Sequence, residues 1–302
     1  MMQLDWPACP AEGYPPSEAL DISMPPGVAL EWVATIDSTN AALMRRARAG
    51  CLQPTLLVAK HQSAGRGRRG HTWHNAGGLS GGPMAGLMFS LGLPWVSPDA
   101  DGTDTSAKWS GLSGLSLAVG LSLATSLHPD IQIKWPNDLW WQGRKLGGIL
   151  IETAGARRYL VVGVGLNILV PDCAAAKTFA TAPAGLTELM PDATALRALA
   201  RVATPLWQTL HTFLQCGFAP FQSDFHARDA LRDTPVILDN GVHGVARGVD
   251  ATGAWQVQTA GSMVSLTSTA LSARPIGVAM PFAGSQRIRA TWHAQDDIEC
   301  CV

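Results

Sequence analysis

The stretch from Leu112 to Leu127 is the most apolar in the chain, and it must be buried somewhere. It is shorter than the roughly 20 apolar residues that cross a bilayer. Ser113, Gly114, Ser116, Gly120, Ser122 and Ser126 also interrupt it. The pattern predicts a helix over 110–127 inside a protein core, with small residues that let neighbouring elements approach closely. Such a helix needs cover on all sides. A chain of 302 residues, 47% of them hydrophobic, can supply it as one large domain and a small one.

The rest of the chain reads as alternating strands and helices. Leu30–Ile36 is a strand. Asp37-Ser38-Thr39-Asn40 is an N-cap cluster opening a helix over 41–49, which Gly50 closes. Thr55–Lys60 and Leu87–Leu93 are further strands, and 97–106 is a polar surface loop. Ile131–Trp135 alternates as a strand, with Pro136 holding Trp135 extended. Lys145–Glu152 and Tyr159–Ile168 are apolar runs joined by a Gly-Ala-Arg-Arg turn, which predicts a hairpin. Residues 185–229 are helical, with Leu196, Leu199, Val202, Leu206 and Leu210 near helical spacing. From Pro235 to Ala273 the style changes. Short runs punctuated by Asn240-Gly241 and Thr252-Gly253 predict a small all-β module. Residues 1–28, rich in proline, form an extended or disordered arm. Residues 276–302 carry no assignable pattern.

Four clusters carry chemistry. Gly65-Arg66-Gly67-Arg68-Arg69-Gly70 is a loop, because three glycines disfavour helix and central strand alike. Its guanidinium forks can wrap a carboxylate or phosphate. It could also be a solvated basic loop. Lys134-Trp135-Pro136-Asn137-Asp138 presents an amide and a carboxylate at a strand end, with Lys145 returning at the start of the next strand. Gly163-Val164-Gly165-Leu166-Asn167 places two glycines in an apolar strand. That is unfavourable unless a backbone or ligand comes close, or the strand bulges there. Asp37–Asn40 offers hydroxyls and free backbone N–H groups at a helix start.

Charge and cysteine content exclude other classes. Only 15% of residues are charged and the net charge is −1, which gives no global field to hold DNA or an anionic membrane. The six cysteines, Cys9, Cys51, Cys173, Cys216, Cys300 and Cys301, match no zinc spacing or disulfide framework. They read as reduced thiols in a cytoplasmic protein. No signal peptide is evident.

In this order, the Asp-Ser-Thr-Asn cap, Gln62 through Gly70, the Lys-Trp-Pro-Asn-Asp turn, Arg144–Leu150 and Gly163–Asn167 resemble the bacterial biotin–protein ligases. The resemblance spans about 30–275. It implies an α+β fold: a mixed-sheet catalytic domain (29–230), then a small Src-homology-3-like β-barrel (231–275). It implies activation of biotin by ATP to biotinoyl-5'-AMP, then transfer to a lysine of a biotin carboxyl carrier protein. The biotin site it implies is Ser38, Thr39, Asn40, Gln62, Arg66, Gly67, Arg68, Lys145 and Gly148. For the nucleotide it implies Arg68, Trp73, Asn137, Lys145, Gly163 and Asn167. The reaction would rest on Arg66, Arg68, Lys145 and Asp138, with Mg²⁺ carried mainly by nucleotide phosphates.

The chain departs from the family's pattern after Trp73, where the segment is longer and Ala85-Gly86-Leu87 replaces a typical Gly-Asn-Leu. The proline-rich arm leaves no room for a helix-turn-helix, so DNA binding is not expected. The expected state is monomer or homodimer, away from membranes. A lipoate or octanoate ligase is the nearest rival, and a non-catalytic biotin-adenylate-binding protein is another. A nucleic-acid binder using Arg66, Arg68 and Arg69 is a third, disfavoured by the neutral charge.

Overall fold

In the computed structural model the described residues are 22, 24–73, 84–95, 111–154, 159–171, 181–238, 241–267 and 273–275. The 97–106 loop, most of the N-terminal arm and the 276–302 tail lie outside them. Seven strands form one mixed sheet: β1 (Ala29–Ile36), β2 (Thr55–Gln62), β3 (Gly86–Pro94), β4 (Gln132–Lys134), β5 (Asp138–Trp141), β6 (Arg144–Ala154) and β7 (Tyr159–Asn167). Their order is β1-β2-β3-β7-β6-β5-β4. Only β1 and β2 run parallel. A parallel pair needs a crossover, and helix α1 (Thr39–Arg48) lies in that connection.

Both faces of the sheet are covered, which is why its central strands are almost continuously apolar. On one face, Leu56, Val58, Leu87, Phe89, Leu91, Leu160, Val162, Val164 and Ile149 pack in a core with α2 (Leu115–Leu127) and α3 (Ala195–Cys216). On the other face, Leu43, Met44 and Ala47 of α1 cover Leu57, Tyr159 and Val161. A single short helix covers only part of that second face. Gly163 lies under the first turn of α1 and Gly148 and Gly165 lie beyond it, and the polar residues gather over these three glycines.

Helix α2 starts later than the pattern predicts. Gly114, at φ +77°, stands outside the helix as its cap, and a Cβ there would strike Phe218. The helical region after 185 is two helices, α3 and α4 (Gln222–Arg228), separated at Gly217. Asp138 does more than end a turn: it opens β5, which pairs with β4 and β6. Among the described cysteines, Cys216 is a free thiol but Cys51 is disulfide-bonded, so the reading of all six as reduced fails there. Pairing depends on Cα atoms meeting within about 7 Å in space, which spacing along the chain does not reveal.

The C-terminal strands β8 (Pro235–Leu238), β9 (His243–Val249), β10 (Trp255–Gln258), β11 (Met263–Leu266) and β12 (Ala273–Pro275) form a small antiparallel sheet in the order β11-β10-β9-β8-β12. It shares one continuous core with the large sheet. Trp255 of β10 stacks on Trp135, with ring centroids 5.1 Å apart and planes 11° from parallel. Trp135 directly precedes the Pro-Asn-Asp turn, so the small module buttresses the strand end that carries Asn137 and Asp138.

The junction between the two parts holds a buried carboxylate. Asp229 follows α4 and bridges to Ile133; its Oδ1 accepts from Leu231 N at 2.9 Å. Its Oδ2 is buried without a partner. Burial pushes its pKa up to about 6, against the pull of the Leu231 N–H. A carboxyl raised in the folded state favours folding most below its unfolded pKa, and that contribution is lost as pH rises through about 6. Between pH 4 and pH 8 this group should remove about 2–3 kcal/mol of stability. Asp229→Asn should therefore flatten the stability–pH profile and stabilise the protein at pH 8. Urea unfolding of both proteins across that range checks it; equal slopes would show that Asp229 does not titrate this way.

Candidate active site

Register places the site. Ser90 of β3, Gly163 of β7 and Leu150 of β6 are mutual partners, forming one row across the sheet. Met88, Gly165, Gly148 and Asp138 form the next row on the same face. Two residues of strand separate the rows, about 7 Å.

The first row carries the start of α1. Ser38 caps the helix, its hydroxyl accepting from Ala41 N at 3.4 Å. Thr39 donates from its backbone N (2.7 Å) and its hydroxyl (3.1 Å) to Gln62 Oε1. Asn40 lies over Gly163, where a Cβ would fall 2.1 Å from its Oδ1. The Ser90 hydroxyl is 2.6 Å from Asn40 Oδ1 and 2.7 Å from Thr39 Oγ1. Asn40 Nδ2 donates to Leu150 O at 3.3 Å and Glu152 Oε2 at 3.0 Å. A donor on one side and acceptors on the other fix which end of the amide is which. Ser38, Thr39, Asn40, Gln62 and Ser90 are all buried. A pre-set cluster of this kind suits a small neutral polar group.

The second row carries Trp73 and Lys145. The Trp73 indole lies against Gly165, where a Cβ would fall 2.4 Å from its Cε2, and reaches over Gly148. A side chain at Gly165 would exclude it, whereas at Gly148 a Cβ would only touch its edge. The β5–β6 pairing shifts register between Leu139 and Trp140, leaving Leu146 as the extra residue. The bulge turns Leu146 into the core and returns Lys145 to the face of Asp138. Lys145 Nζ sits 2.7 Å from Asp138 Oδ1. Lys145 has a rigid base: its N donates to Ala182 O at 2.7 Å and its carbonyl accepts from Ala184 N at 2.8 Å.

The arginine loop closes as a tight hairpin. Trp73 N donates to Gly65 O at 2.9 Å and Gly67 N to His71 O at 2.7 Å. Arg69 takes a left-handed backbone, φ 54°. Arg66 forks onto Glu152 at 2.9 and 3.2 Å, so a carboxylate already matches its charge. Arg68 donates to Asn137 Oδ1 at 3.3 Å. Burial, and then the neighbouring Arg69, holds the Arg68 pKa below the usual guanidinium value. Asn137 Nδ2 donates to Ile149 O at 3.0 Å, and Asn167 Nδ2 to Ala184 O at 3.0 Å and Lys145 O at 3.3 Å. The Asn167 amide braces the backbone at Lys145, and the Asn137 amide ties its own turn to β6.

The sequence-derived residues therefore converge on one face. Ser90 and Glu152 were not among them. Ser90 sits in an unremarkable apolar strand, and Glu152 looks like the polar end of another. Glu152 falls on the same strand face as Gly148, which alternation alone could have shown; nothing local marks Ser90.

Comparison with known proteins fits this geometry. The family model for the biotin/lipoate A/B protein ligase family matches residues 32–168. A biotin–[acetyl-CoA-carboxylase] ligase of Paracoccus denitrificans is 34% identical over 233 residues, covering 74% of this chain and 91% of that protein. The bifunctional ligase/repressor of Escherichia coli is 30% identical over 230 residues, 72% of this chain; the chain spans 66% of that relative's length. A solved biotin protein ligase from Aquifex aeolicus, in complex with biotin and ATP, superposes with a TM-score of 0.65 at 25% identity, covering 82% of this chain and 99% of that one. By descent and by fold, the chain belongs to the biotin/lipoate protein ligase family, and within it to the biotin protein ligases.

Proposed function

We propose that this protein activates biotin with ATP and passes it to a lysine of a biotin carboxyl carrier domain. The observation that carries the reading is the adjacency of the two rows. A neutral hydrogen-bonding cluster at the start of α1 lies one row of the sheet, about 7 Å, from a cationic floor of Lys145 beside Arg68. Biotin has that same division, a neutral ureido head and a terminal carboxylate.

In the first step a carboxylate oxygen of biotin attacks the α-phosphorus of ATP, and pyrophosphate leaves. Two anions must meet, so positive charge has to be in place beforehand. Lys145 on its fixed base and Arg68 beside Asn137 supply it. Mg²⁺ would enter on the nucleotide phosphates and add charge. Among the described residues no three His, Cys, Asp or Glu side chains converge on a cation position, while Asp138 offers one carboxylate. The Asn137 and Asn167 amides hold the floor under the nucleotide, and Trp73 covers it. The product is a mixed anhydride that water destroys, so the arginine loop has to shut over it. In the second step the carrier lysine attacks the acyl carbon, AMP leaves, and the amine sheds a proton. Asp138 is the acceptor assigned here, and its pairing with Lys145 gives it a positioning role in the first step.

Ser90→Ala should weaken biotin binding about five- to tenfold, because the Asn40 carbonyl loses its donor. Calorimetric titration with biotin measures it, and wild-type affinity would remove Ser90 from the site. No helix among the described residues is long and apolar enough to cross a membrane. The protein is read as cytoplasmic, acting as monomer or homodimer.

The deciding experiment incubates purified protein with biotin, ATP and Mg²⁺, with Arg68→Ala as control. Bound biotinoyl-adenylate is assayed, and an added carrier domain is weighed. Adenylate followed by a biotin-sized mass gain establishes the ligase. Adenylate without transfer indicates a binding protein. Adenylate from lipoate or octanoate alone moves the protein to the sister activity.

A further inference from the structure

We propose that Glu152 is a positioning residue that ties the arginine loop to the pocket at the start of α1, and so governs how long the adenylate stays bound. The proposal rests on the reading above. Glu152 projects from β6 on the glycine-floored face, and one carboxylate serves two elements. Its Oε2 accepts from Asn40 Nδ2 at 3.0 Å and from Arg66 Nη1 at 3.2 Å; its Oε1 accepts from Arg66 Nη2 at 2.9 Å. Asn40 belongs to the helix start and Arg66 to the loop, and they are joined through this side chain. The carboxylate is mostly covered, 19% exposed, whereas Arg66 is 49% exposed. The loop thus reaches inward to a fixed acceptor.

The arrangement divides labour among the loop cations. Arg66, forked onto a carboxylate, is an anchor for the loop. A bare Glu152 carboxylate would repel an anionic ligand nearby, and Arg66 neutralises it. Arg68 and Lys145 then face the reacting phosphate. Because Asn40 must be seated for its amide to meet Oε2, pocket order and loop closure stabilise each other. A ligand that holds Asn40 in place also favours the closed loop.

The test uses the full chain as wild type, Glu152→Gln, Arg66→Ala and the double variant. Glutamine keeps an oxygen that can accept from Asn40 but loses the charge that holds Arg66. Each protein is loaded with biotin and ATP, and release of biotinoyl-adenylate is timed in a chase with excess unlabelled biotin. Release should be about tenfold faster in either single variant, and the double should be no faster than the singles. In Glu152→Gln the rate of adenylate formation at saturating substrates should stay within about threefold, and its melting temperature should hardly move, since an ion pair whose arginine is half exposed adds little stability. Wild-type release from Glu152→Gln, or multiplying effects in the double variant, would overturn the proposal. If the wild type forms no adenylate from biotin at all, the functional reading fails, and this proposal with it.

Discussion

Lys145→Met is expected to lower the rate of biotin-dependent adenylate formation by about 10²–10³-fold while the protein stays folded. The side chain is one-third exposed, so methionine can occupy its place without a buried defect. What disappears is a fixed charge at the point where two anions must meet. Its base is fixed, with the backbone bonded to Ala182 and Ala184, so the charge is held in place before the anions arrive. The Asp138 carboxylate, 2.7 Å from the ammonium in the wild type, would be left uncompensated and would repel the incoming anions. Lys145→Arg keeps the charge but carries it on a longer planar fork, and should recover only part of the rate. Pyrophosphate release under saturating biotin and ATP gives the answer. A methionine variant within a few-fold of wild type would mean that Lys145 does no more than hold Asp138.

Gly163→Ala should weaken biotin binding by about 100-fold and reduce stability by about 3 kcal/mol. The backbone at Gly163 is ordinary strand, so the added methyl acts only through contact. Its nearest neighbour would be Asn40 Oδ1, at 2.1 Å. Asn40 cannot yield cheaply, because it is bonded to Ser90, Leu150 and Glu152 at once and is buried. Moving it leaves several buried polar groups unpaired. Titration with biotin and denaturant unfolding report the two losses separately. Asn40→Ala in the same background removes the clash, so stability should partly return while biotin binding stays weak. If stability does not return, strain elsewhere is responsible and the packing argument fails.

Much of this protein was legible in the sequence because the relevant physics is local. Ser38 as a cap, Gly50 as a stop and the glycines of the arginine loop follow from backbone conformation within a few residues. The hairpin of β6 and β7 follows from two apolar runs joined by a short turn. The order of five modest motifs pointed to the biotin–protein ligases, and the comparisons agree. The two glycines of β7 announced that something approaches the strand closely, though not what: Asn40 at one and Trp73 at the other.

The tertiary structure alone decided the rest. Ser90 acquires its role from partners in α1 about fifty residues away, and its own segment reads as plain core strand. Arg66 reads as a free charge until Glu152, 86 residues later, is seen beneath it. The bulge at Leu146 is set by pairing with β5 and turns Lys145 onto the working face. The small C-terminal module looks like a separate domain in sequence, yet Trp255 stacks on Trp135 and the two parts share one core. Each of these depends on the register between strands remote in sequence. Register is fixed by the burial of both sheet faces together, a sum over the whole core that no short window of residues contains.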